Sequence, residues 1–158
     1  MTTTTVIDSA KALCVHGALL WAATAWSGFL MMVDGPNPKL LLVAHTKGFL
    51  HSFTMFGFGM ASYAGCFPNL SPATARVAFW LIVTGSWLSL VGDTHAAWLN
   101  KTLPLAAEKT GAEEDEDCPN SQLLVLATLA MSVGTIFMIS GVDFGLVCGG
   151  PASGKKLK

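Results

Sequence analysis

ALCVHGALLWAATAWSGFLMMV, from Ala12 to Val33, is an apolar run broken by a single ionisable residue, His16. About twenty such residues, as a helix, cover the roughly 30 Å hydrocarbon core of a bilayer, so this stretch reads as a membrane span. Three more runs of similar kind follow, at about 40–65, 77–99 and 123–147. Backbone polar groups have no water to bond in lipid, which leaves the helix as the structure that satisfies each run internally. The expected fold is an all-α, integral membrane four-helix transmembrane bundle.

The breaks between the runs carry turn chemistry. Asp34-Gly35-Pro36-Asn37-Pro38 holds two prolines that stop a helix, and Ser71-Pro72 is an N-cap followed by proline in the first turn. The interval from Lys101 to Gln122 reads as an acidic loop, with its charge concentrated in Glu113, Glu114, Asp115, Glu116 and Asp117. No interval is long or apolar enough for a soluble domain, so the chain reads as one transmembrane domain over 1–158.

Composition agrees with lipid as the solvent. The chain is 52% hydrophobic and only 12% charged, and its mean hydropathy is +0.54, too apolar for an ordinary soluble domain of this size. A net charge of −1 supplies no basic face for nucleic acid. Cys14, Cys66, Cys118 and Cys148 show neither CxxC pairing nor metal-ligand spacing and read as inert thiols. Residues 1–11 are too short and polar for a targeting segment. Four spans place both termini on one face with Lys11, Arg76, Lys155, Lys156 and Lys158, against Lys39, Lys101 and Lys109 on the other, and this bias favours cytoplasmic termini.

The chemistry is carried by polar residues in the apolar runs. Placing Asp or Lys at bilayer depth costs at least about 2.5–3.5 kcal/mol on insertion scales, so such residues need a reason. The second run holds His45, Lys47 and His51, and is the least lipid-like of the four. Lys47 and His51 are four apart and share a helix face, whereas His45 lies with Gly48 and Ser52 on another. Gly48 removes a side chain one turn from His45, leaving room for a flat macrocycle or for close helix packing. In the third run Ser86, Ser89 and Asp93 form one polar stripe, fit either to orient a substrate and hold a proton or to bond a neighbouring helix. His16 and His95 near span ends are expected to wet their rings at the interface. Asp143 sits at the end of the fourth run.

Asn37-Pro38-Lys39, Ala44-His45, Gly48, the polar residue at 51, Phe67-Pro68, Arg76-Val77-Ala78-Phe79-Trp80 and Gly85-Ser86-Trp87 together carry a resemblance. In these motifs the chain resembles the hydroxylaminobenzene mutase and styrene oxide isomerase family of small four-span membrane enzymes. The resemblance implies a homotrimer that binds haem b, with His45 as the axial ligand to the iron, and rearranges a small apolar epoxide to an aldehyde or an arylhydroxylamine to an aminophenol. The ferric haem would act as a Lewis acid, with Asp93, His51 and Ser89 orienting substrate or handling protons. His51 and Ser89 stand where the family usually has asparagine. Two readings from other classes stay open: an electron-transfer haem protein in which His45 pairs with His95 or His16, and a catalytically silent subunit of a membrane complex.

Overall fold

The computed structural model describes residues 2–102, 111–114 and 119–142, with side chains described for 8–101, 111–112 and 122–142. Four helices form among the described residues: α1 (Thr2–Leu30), α2 (Pro38–Tyr63), α3 (Pro72–Leu99) and α4 (Pro119–Ser140). Between α3 and α4 two short strands, β1 (Lys101–Thr102) and β2 (Glu113–Glu114), pair in parallel. The expected loop over 101–122 is therefore corrected at both ends, by this ladder and by the start of α4 at Pro119. Asp115, Glu116, Asp117, Cys118, Asp143, Cys148 and the C-terminal lysines lie outside the described residues.

The helix ends follow from the breaks. Asn37 caps α2, its side-chain oxygen accepting from the amides of Lys39 at 3.0 Å and Leu40 at 3.3 Å. Ser71 caps α3 in the same way, accepting from Thr74 N at 3.1 Å, and each cap is followed by a proline whose missing N–H costs nothing in a first turn. Asn100 closes α3 in the left-handed conformation, φ 54°, which asparagine tolerates. Asn37 also donates from Nδ2 to Asn100 Oδ1 at 2.7 Å and from its backbone to Ala97 O at 2.9 Å. The start of α2 is thereby fastened to the end of α3.

The helices alternate in direction. Gly17 lies against Met55 and Ser52, Gly28 against His45, Gly48 against Thr24, and Gly59 against Cys14 and Ala10, so α1 and α2 run antiparallel along their length. Gly85 against Ala127 and Met131, Gly134 against Ala78 and Ile82, and Gly141 against Leu70 set α4 antiparallel to α3 in the same manner. α3 also touches α2 and α1, which makes it the central helix, while α4 packs chiefly on α3. Backbones approach closely where side chains are small, the usual way helices associate without a hydrophobic driving force: a Cβ at Gly85 would sit 2.8 Å from Ala127 O. Leu13, Leu20, Ala44, Met55, Ala78 and Ile82 fill the interior.

Outward faces carry Trp26, Phe29, Leu50, Phe53, Met60, Leu126 and Ile136, an apolar surface suited to lipid rather than water. Three helical stretches, Asp8–Leu30, Pro72–Leu99 and Gln122–Ser140, are long and apolar enough to cross a membrane. α2 does not join them, because His45, Lys47 and His51 dilute its apolar residues.

Candidate functional site

His45 projects from α2 against α1. Its Nδ1 lies 2.8 Å from Thr24 O, and a carbonyl only accepts, so Nδ1 carries the hydrogen and donates. Ser27 Oγ lies 3.4 Å from the same nitrogen and donates to the same Thr24 carbonyl at 2.6 Å. A Cβ at position 28 would meet His45 Cε1 at 3.0 Å, so Gly28 lets the ring lie flat on α1. Phe49 packs edge-on at a centroid distance of 4.6 Å. In the neutral ring these contacts fix the tautomer and leave the Nε2 lone pair without a hydrogen-bond partner among the described residues.

A second polar group joins α2 to α3. Lys47 Nζ donates to both carboxylate oxygens of Asp93, at 3.0 and 3.1 Å, and Ser89 Oγ donates to Asp93 Oδ2 at 3.3 Å. Asp93 is buried, whereas the lysine side chain is 45% exposed and threads from the surface to the carboxylate. His51, one turn further along α2, faces the Ser86 backbone carbonyl and keeps a buried Nδ1 without a partner.

The serine stripe divides. Ser89 serves Asp93, but the Ser86 hydroxyl donates to Ile82 O at 2.7 Å and lies 2.8 Å from Met131 Sδ of α4. Gly48 gives its vacant side to Thr24, whose Oγ1 and methyl fill the place a Cβ would take, so this opening serves the α1–α2 contact. His16 is half-buried and packs on Phe79 at 5.9 Å, with its Nδ1 buried and unpartnered. His95 is exposed on α3, on a separate face from Asp93.

The sequence places His45 and the cluster of Lys47, His51, Ser89 and Asp93 on the right helices, but Thr24, Ser27 and Gly28 go unread. Their signal is a polar and small trio at i, i+3 and i+4 in an otherwise apolar helix. Among the described residues no group of three His, Cys, Asp or Glu side chains could hold a metal ion. His45 shares one feature with ligating histidines, which characteristically anchor their other nitrogen on a carbonyl or carboxylate. No family model, curated protein or solved structure matches the chain.

Proposed function

We propose that this chain is a four-span membrane isomerase that holds haem b through His45 Nε2, works as a homotrimer with cytoplasmic termini, and rearranges a small apolar epoxide or arylhydroxylamine. The observation that carries the reading is the seat of His45: Nδ1 is committed to Thr24 O, Gly28 clears the ring, and Nε2 remains for iron. When bound, ferric haem would supply an electrophile for the substrate oxygen. The chain's own residues would do the rest. Asp93, oriented by Lys47 and Ser89, steadies positive charge, and the unpartnered His51 Nδ1 holds or releases a proton within the apolar bundle.

Absorption spectra of the detergent-purified protein, with and without reductant, test this directly. A Soret band that disappears in His45→Ala is expected, and absence of a Soret band in the wild type overturns the reading. One further observation supports an electron-transfer alternative: Ser27, which touches His45, lines the same surface groove as His95. A low-spin bis-histidine spectrum lost equally in His45→Ala and His95→Ala would favour it.

A further inference from the structure

The end of the bundle where α2 begins and α3 finishes is covered by the connection that follows α3. There β2 pairs beside β1, with Lys101 in register with Glu113 and Thr102 with Glu114. Ala112, the residue just before β2, packs against a small apolar cluster of Leu40, Leu41 and Ala97, which Leu30 and Met31 complete from the end of α1. Segments far apart in sequence therefore meet in one apolar layer, and Leu41 and Ala97 in it are fully buried.

Beneath this layer lies the polar group of α2 and α3. Ala97 follows Asp93 by four residues and sits one turn beyond it on the same face of α3. Leu40 precedes Lys47 by seven residues, two turns along one face of α2. The layer thus stands between the water at this end of the bundle and the Lys47–Asp93 pair, to which Ser89 also bonds. Outside it, Asn37 and Asn100 hold the two helix ends together. The open side of Lys47, nine residues into α2, is the flank of the bundle, which a four-span arrangement turns to lipid. A charged pair kept from water interacts more strongly than a wetted one, so what covers this end sets how firmly the pair holds.

We infer that residues 111–114 form a lid, seated through Ala112, that keeps aqueous solutes off the Lys47–Asp93 pair. Alanine suits such a contact. Its methyl group completes the apolar layer, yet the small area it buries holds the lid weakly, so opening is a local event that leaves the helices packed. Opened, the lid admits water and small ions to the pair from this one end. The device lies outside the isomerase reading and needs no haem on His45.

The test measures access from water to the group beneath the lid. Ser89→Cys, a near-isosteric change at a position 5% exposed, places the sole thiol of the full chain there once the four native cysteines are replaced by Ala. In phosphatidylcholine nanodiscs the protein is treated with a quaternary-ammonium methanethiosulfonate, whose fixed charge excludes it from the hydrocarbon. With the lid intact, modification is expected to be slow. Ala112→Glu puts a charge into the apolar layer and should accelerate it by roughly tenfold or more as the open population rises, whereas Ala112→Met, of similar length but apolar, should not. Met31→Glu attacks the same layer from the end of α1 and should open it as well, which keeps the test decisive if one variant fails to fold. Rapid modification under the unaltered lid overturns the inference, as does a rate unmoved by either glutamate or raised equally by Ala112→Met. A protein that never shows a Soret band yet reacts in the expected order loses the haem reading and keeps the lid.

Discussion

At His45 one nitrogen does structural work so that the other is free for chemistry. Replacing His45 with Ala should abolish haem retention while the protein still inserts, whereas His16→Ala, which removes a ring packed on Phe79, should retain haem; heme content per chain in detergent checks both. Asp93 has a different balance. Its carboxylate is buried and answered by Lys47, so Lys47→Met strands a charge and should cost toward the low end of about 3–5 kcal/mol. Asp93→Asn leaves a lysine that already reaches the surface and should cost less. Thermal unfolding of the two variants in one detergent orders them, and an equal or reversed order would show that the pair contributes nothing as a pair. If Asp93 also acts on substrate, Asn should lower turnover per haem by about 10²–10⁴-fold, and unchanged turnover would leave it a structural partner of Lys47. The polar residues of α2 and α3 were legible in the sequence because a charge in an apolar run demands an explanation. The partners of His45 were not, because two of its contacts run to a backbone carbonyl and to a glycine, which carry no signature of their own.

The helices themselves show where a hydropathy pattern stops being informative. The apolar run from Ala12 marks the part of α1 that lipid selects, yet the helix begins at Thr2, since hydrogen bonding propagates through polar residues that hydropathy ignores. Caps were readable because Asn37-Pro38 and Ser71-Pro72 place an acceptor beside a residue without an N–H. Nothing in the sequence distinguishes glycines that admit a neighbouring helix from those facing outward. Gly48→Ala would drive a methyl into Thr24, with its Cγ2 at 2.8 Å, and should destabilise α1–α2 packing by about 1–3 kcal/mol. Gly57 has nothing within 4 Å of the same position, so Gly57→Ala should be neutral or stabilising by up to about 1 kcal/mol through helix propensity. Matching melting shifts for the two variants would mean that the α1–α2 contact is not as close as described.

For the whole molecule, the question is whether α2, too polar by composition, crosses with its neighbours. α2 lies antiparallel along α1 for its full length, from Gly28–His45 to Gly59–Ala10, and its start is fastened to the end of α3 through Asn37, Ala97 and Asn100. With α1 and α3 apolar enough to span, the proposed four-span arrangement puts α2, packed against both, in the same slab. Its 26 residues extend about 39 Å at 1.5 Å each, enough for the hydrocarbon core. The cost of its lysine is offset because the charge meets Asp93 instead of lipid, while the long stem leads outward and the buried end is paired. The alternation then runs through to α4, whose Gly141 meets Leu70 at the end of the bundle where Gly59 of α2 meets Ala10 of α1. The start of α1 and the end of α4 therefore share one end of the bundle. In intact membranes, tags at positions 1 and 158 should be equally accessible from one face, and a tag within 103–110 accessible only from the other. Tags at 1 and 158 on opposite faces would mean that an odd number of helices crosses, and α2, the most polar of the four described helices, would be the one left out.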